Sequence, residues 1–307
     1  MNSLIFIITI SILLFQNTLI LAQNDSEIDV FMFEPKNVST DSVEYSSSFS
    51  SSGTEMYFTR SNGKWGTGNG KSSIYYSVKK NGRWSAPEKA SFSGRFNDSA
   101  PYLSTDGHTL YFISERPSKG IQISADIWVV KKDGIGKWGD PVRLSTPLNS
   151  EYREYSPRTD TIGNLYFASD RPNGYGQGDL YMAKMENGSF KAPVNLGNVI
   201  NTEKGEWNLE INGDGNLIIF EASDRKENIS SYGDLYISFK SDNKWSIPQN
   251  IKELNTSGSD LYPHLTNHGS TLFFTSSDSL KSIDTNIYFT EFASIYKKYK
   301  KRAIFSK

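Results

Sequence analysis

The chain has 307 residues, of which 13% are aromatic, and 34 acidic side chains against 33 basic ones leave a net charge of −1. A balance this even, without a basic stripe, argues against a nucleic-acid partner. Cysteine is absent, which excludes disulfides, thiol nucleophiles and a lipid carried on Cys, and leaves stability to packing alone.

In chain order, Leu4 to Leu21 is almost entirely Ile, Leu and Phe and gives way at Ala22-Gln23 to polar chain. That pattern predicts a signal peptide over 1–22, although Met1-Asn2-Ser3 lacks the usual positive charge. The apolar run is also nearly long enough for a retained anchor. The expectation is export to a secreted or periplasmic location, with no transmembrane span left after cleavage. Residues 23–29 read as a linker, 30–292 as one domain, and 293–307 as a basic tail. Lys297, Lys298, Lys300, Lys301, Arg302 and Lys307 crowd that tail. It reads as a solvated end, the alternative being a contact with a polyanion or membrane surface.

Between leader and tail one phrase returns five times: a short polar strand, a turn, an aromatic-rich strand, a third strand opening on Asp or Asn, and a proline-bearing edge. The turn glycines are Gly53, Gly107, Gly163, Gly215 and Gly269, and the edge prolines are Pro35, Pro87, Pro141, Pro193 and Pro248. Second strands follow as Met56-Tyr57-Phe58, Leu110-Tyr111-Phe112, Leu165-Tyr166-Phe167, Ile218-Ile219-Phe220 and Leu272-Phe273-Phe274. Proline cannot donate to a central ladder, so it suits the outer strand of a blade. A repeat of this length with four strands per unit predicts an all-β fold, a five-bladed β-propeller of four-stranded antiparallel blades. The last unit lacks its proline segment after Phe292, and Phe33-Glu34-Pro35 matches the missing piece. The N-terminal strand is therefore expected to complete the fifth blade and close the ring.

Ser99-Ala100-Pro101-Tyr102-Leu103-Ser104-Thr105-Asp106-Gly107 followed by Leu110-Tyr111-Phe112, together with Tyr262-Pro263, resembles the TolB-type, WD40-like (PD40-type) propeller repeat. Ser169-Asp170-Arg171-Pro172-Asn173-Gly174-Tyr175-Gly176 with Gly178-Asp179-Leu180-Tyr181 is similar to the version in exported bacterial envelope proteins. The resemblance covers residues 30–292 and departs from the pattern at Ser47 and Leu209, where proline is usual. It implies the fold and leaves activity open, because such repeats serve scaffolds, peptidoglycan-associated proteins and non-catalytic domains of peptidases alike.

Three constellations carry the functional expectations. An acid recurs three residues before the proline position in all units: Glu44, Asp98, Glu154, Glu206 and Asp260. Each can staple a loop between blades, or the ring can hold Ca²⁺ or Mg²⁺, for which oxygen donors are suited; no other cofactor is expected. The second set varies between blades at one position: Ser48, Tyr102, Arg158, Glu210 and His264, with Trp207, Asn208 and Tyr262 nearby. Tyr102, Arg158, Trp207, Asn208, Glu210, Tyr262 and His264 are the candidate ligand-binding residues, as a pocket or as solvated channel lining with Arg158 and Glu210 paired. The third is Asp126, Asp179 and Asp234 at the third strand, each preceded by an arginine (Arg116, Arg171, Arg225); each can tie its blade's loop through an arginine or through backbone N–H groups.

No Gly-x-Ser-x-Gly elbow, phosphate loop or His-Glu-x-x-His is present. The expected function is a monomeric, exported, non-catalytic propeller that binds a protein or cell-envelope glycan through one face. The alternative is a carbohydrate-active hydrolase or lyase drawing two carboxylates from Glu154, Glu206 and Glu210.

Overall fold

The computed structural model describes residues 28–64, 67–118, 124–266, 269–277 and 284–305. The predicted leader over 1–22 lies outside the described residues. Among those described, no helix is long and apolar enough to cross a membrane.

Five antiparallel sheets follow one another along the chain. Their innermost strands are Val43–Phe49, Asp98–Leu103, Glu154–Thr159, Gly205–Ile211 and Asp260–Thr266. Each continues outward through an aromatic-rich second strand and a third strand to a short edge such as Val142–Arg143 or Val194–Asn195. The protein is thus a five-bladed all-β propeller, as the repeat predicts. In the fifth sheet the outer position is taken by Phe31–Met32, which runs antiparallel to Asn286–Glu291 with Phe31 opposite Phe289.

The bulky second and third strands fill the wedges between sheets. One apolar cluster joins Tyr57 and Ile74 of blade one to Leu110, Phe112 and Trp128 of blade two. Another joins Phe220 and Tyr236 of blade four to Tyr166 and Leu180 of blade three. Aromatic rings suit these wedges because they bury much area on two twisted faces at once.

Each innermost strand carries a bulge at the same place. Pairing slips between Tyr45 and Ser48, Ser99 and Tyr102, Tyr155 and Arg158, Glu206 and Leu209, and Leu261 and His264. Ser46, Ala100, Ser156 and Tyr262 take left-handed backbone there, with φ of 53, 49, 46 and 48°. A bulge re-aims the residues after it. Here Ser48, Tyr102, Arg158, Glu210 and His264 come to equivalent stations, opposite Tyr57, Tyr111, Tyr166, Ile219 and Phe273.

The basic tail differs from a solvated end. Phe292–Lys301 is an α-helix whose Phe292, Ile295 and Tyr299 are buried against blades four and five. Spacings of three and four residues put those three on one stripe, and the lysines take the other faces. The Tyr299 hydroxyl donates to the Asn250 carbonyl at 3.0 Å, and Ile247 N–H donates to the Ile304 carbonyl at 2.8 Å. The tail is therefore fastened to the outer edge of blade four.

Candidate functional site

The acidic ring does not converge on a common centre. Glu44, Asp98, Glu154, Glu206 and Asp260 are all fully buried, and each turns into its own blade. Thr40, Ser93, Ser150 and Thr202 hydroxyls donate to the first four at 2.6–2.9 Å. Arg60, Arg116, Arg171 and Arg225 complete these staples at 2.7–3.0 Å. Each guanidinium also lies over two rings of its blade, as Arg225 does over Phe220 and Tyr236 at 5.2 and 4.8 Å. The carboxylates thus pin the loops between blades, and their ligand-pairs are protein donors. Among the described residues no group of three or more metal-ligating side chains is placed to hold an ion.

This geometry also separates the two readings of the third constellation. Arg116, Arg171 and Arg225 hold the ring acids, while Asp126 is paired with Arg143. Asp179 and Asp234 tie their loops through backbone N–H groups, of Tyr175 and Gly176 at 2.6 and 3.2 Å and of Ile229 and Ser230 at 2.7 and 3.1 Å, with Asn195 and Asn250 also donating to them at 2.7 Å.

Blade five has no arginine between Ser276 and Asn286, and Asp260 is held by Thr256 through its N–H at 2.6 Å and hydroxyl at 3.1 Å and by the Ser276 side chain. Burial pushes its carboxyl up to about 7. Beside it, burial pushes Glu221 up to about 8, against hydrogen bonding from Asn208. A carboxyl raised in the folded state holds its proton while the unfolded chain releases it. Stability contributed by the neutral form is therefore complete near pH 4.5 and lost as pH rises toward 8. Glu221→Gln is expected to remove one proton from this linkage, flattening the decline by about 1.4 kcal/mol per pH unit within the window. Urea melts of both chains from pH 5 to 8.5 measure it, and parallel pH profiles refute it.

The second constellation forms a belt around the channel, each blade reaching the next. Ser48 Oγ accepts from Leu103 N–H at 2.9 Å, and Tyr102 donates its hydroxyl to the Thr159 carbonyl at 2.9 Å. Arg158 Nε donates to Glu210 Oε2 at 2.9 Å, and His264 Nδ1 lies 3.1 Å from the same oxygen. The belt closes where Phe49 N–H donates to His264 Nε2 at 3.2 Å. Because Nε2 is an acceptor, the imidazole carries its proton on Nδ1 and donates it to Glu210. Arg158 is completely buried, with its guanidinium 5.3 Å from the centre of the Tyr102 ring. Burial together with the nearby Glu210 charge pushes the Tyr102 phenol up to about 12.

On the side of the belt facing the strand-connecting turns lies a cavity of about 650 Å³. Of the seven sequence-derived candidates, Tyr102, Glu210 and His264 line it. Arg158 sits behind Glu210 and does not. Trp207, Asn208 and Tyr262 are drawn elsewhere. Trp207 lies against Gly178 and Gly205, where an added β-carbon would come within 2.4 and 2.5 Å of its ring. Asn208 is bonded to Glu221, and Tyr262 packs on Tyr45 at 5.1 Å. Three residues that the repeat did not single out complete the wall: Asp214 from the blade-four turn, and Phe292 and Tyr296 from the C-terminal helix. The helical spacing of Phe292, Ile295 and Tyr299 is the signal from which that helix could have been found. Glu154 and Glu206, offered as partners for Glu210, are held in the acidic ring and do not line the cavity.

No family model matches the chain, and no curated protein matches its sequence. Among solved structures, a glycoside hydrolase aligns over 82% of this chain and 89% of its own at 9% identity, with a TM-score of 0.55. A thermostable family-43 glycoside hydrolase aligns over 82% and 91% at 12% identity, TM-score 0.52. A TolB-like protein from Agrobacterium tumefaciens aligns over 81% and 77% at 15% identity, TM-score 0.51. At these identities the likeness is one of fold. The expectation of a non-catalytic binding propeller is nonetheless corrected, because the similar structures include glycoside hydrolases. The cavity gives the hydrolase alternative a physical footing, since a buried carboxylate lines it.

Proposed function

We propose that the protein is a carbohydrate-active hydrolase whose sugar site is the cavity over the belt. The observation that carries this reading is Glu210: nearly buried at the cavity floor, it accepts from Arg158 and His264 on Oε2, so Oε1 is the oxygen a ligand meets. Asp214 supplies a second carboxylate on the same wall. The rest of the lining suits a sugar, with aromatic faces from Tyr102, Phe292 and Tyr296 and hydroxyls from Thr105, Thr159 and Thr266.

In the hydrolysis, Glu210 takes a proton from water, the water oxygen bonds to the anomeric carbon, and the glycosidic C–O bond breaks. The leaving oxygen takes its proton from solvent at the open mouth of the cavity, while Asp214 holds sugar hydroxyls from the same lining. Arg158 and His264 fix the carboxylate's position through two donors. The reading includes export on the apolar stretch from Leu4 to Leu21, which brings the site to where polysaccharide is met.

The test is reducing-sugar release from xylan, arabinan, starch and peptidoglycan glycan strands by the full chain. Glu210→Gln is expected to lower the rate about 10³-fold and Asp214→Asn about 10²-fold. Asp214 is exposed, so its variant reports on activity with the melting temperature unchanged. Hydrolysis undiminished in both variants, or absent on every polysaccharide, refutes the reading.

A further inference from the structure

We infer, resting on the hydrolase reading, that the cavity admits the end of a glycan chain and not its middle. The C-terminal helix is the wall that enforces this, with Tyr296 as the surface on which the terminal sugar lies.

The first argument is the floor. Ser48, Tyr102, Arg158, Glu210 and His264 are each at most 6% exposed, so their side chains fill the channel at that level and a polymer has no way through. On the far side of the belt Tyr45 and Tyr262 pack against each other at 5.1 Å with their rings tilted by 40°. Whatever enters by the turn side must leave by it.

The second argument is the rim. Ser51, Thr105, Thr161, Asp214 and Gly269 each come from the turn of a different blade, and all line the cavity. The wall therefore runs around the whole circumference. Internal cleavage requires a groove open at two sides, so that chain extends past the cut both ways. A bowl with a single mouth offers a polymer room for one end.

The third argument is the helix, which raises the wall over blades four and five. Phe292, Ala293 and Tyr296 line the cavity, while the helix is held from behind by Tyr299 and by the Gln249 amide, which donates to the Tyr299 carbonyl at 3.0 Å. Tyr296 is 43% exposed although it lines the cavity. Its ring is set edge-on between Phe239 at 5.7 Å and Phe292 at 6.1 Å. An exposed aromatic ring held this firmly presents its free face to the cavity, and sugar C–H faces pack on such surfaces.

The experiment follows xylan, arabinan and α-glucan hexasaccharides, fluorescently labelled at the reducing end, during digestion by the full chain. The expected products shorten one residue at a time, and polymer solutions keep their viscosity while reducing ends accumulate. Early appearance of two- to four-residue labelled fragments overturns the inference and leaves the hydrolase reading standing. No cleavage of any chain removes both. Tyr296→Ala is expected to raise KM about tenfold with kcat held within twofold, and Tyr296→Phe to restore it. An unchanged KM, or a fall in kcat that the Phe variant does not rescue, refutes the role given to the ring.

Discussion

Phe33→Ala is expected to lower the unfolding free energy by about 3–5 kcal/mol, the range for deleting a buried aromatic side chain. Phe33 follows the two-residue strand that pairs with Asn286–Glu291, and its N–H donates to the Ile287 carbonyl at 2.8 Å. Its ring meets Phe273 at 5.3 Å and Phe289 at 6.1 Å in blade five, and Phe49 and Trp84 at 5.7 Å in blade one. These four rings belong to the two ends of the repeat, so one side chain joins the first sheet to the last. Deleting it removes the transfer energy of the ring and leaves a cavity between two rigid sheets, which cannot collapse to fill it. Phe31→Ala is the control: that ring is half-buried and touches Phe289 alone among the described aromatic residues, at 5.6 Å, so about 1 kcal/mol is expected. Urea midpoints with unchanged m-values measure both, and equal losses at the two positions would refute the account.

What the sequence made legible here follows from repetition. A feature written five times, such as the turn glycine or the phenylalanine that ends each second-strand triplet, averages out local ambiguity and fixes blade count and strand order. The same repetition identified the acids Glu44 to Asp260 as one set, but not where their charges go. Three arginines stood close in sequence to the third-strand aspartates, and pairing by proximity along the chain was the natural reading. The sheet brings them instead to the innermost strand, because Ser169 pairs with Glu154 and carries Arg171 two residues on. Sequence distance fails here because the hydrogen-bonded partner across a ladder is nearer than the neighbour around a loop.

The candidate site was half legible for a related reason. Positions equivalent to Ser48 could be aligned, and the bulge does deliver all five to one level. Trp207, Asn208 and Tyr262 were grouped with them as neighbours on the same strands, yet residues in the bulge and residues after it leave on different sides. The wall formed by Phe292 and Tyr296 belongs to no repeat. Its basic residues drew attention as charge, while the apolar stripe that docks it is a helical signal set among strands.

Arg158→Met is the sharpest test of the belt, with an expected loss of about 3–5 kcal/mol. The guanidinium has no exposure to water, and its Nε–Glu210 bond is the belt's one link between two opposite full charges. Methionine matches its length and apolar stem but leaves Glu210 buried with a single remaining donor, His264 Nδ1. The imidazole has no site for a second proton while Nε2 accepts from Phe49 N–H, so it cannot substitute for the lost positive charge. Removing the partner charge as well should therefore recover most of the loss. Glu210→Gln in the Arg158→Met background is expected to bring stability back to within about 1–2 kcal/mol of the parent, since a neutral amide pays far less for burial than an unpaired carboxylate. The single Glu210→Gln chain, which leaves Arg158 uncompensated, should be less stable than the double variant. A double-mutant cycle in urea reads the coupling between the two sites. Additive losses would mean that the pair is screened by water reaching the channel, and the belt would then close the cavity floor without contributing to the stability of the ring.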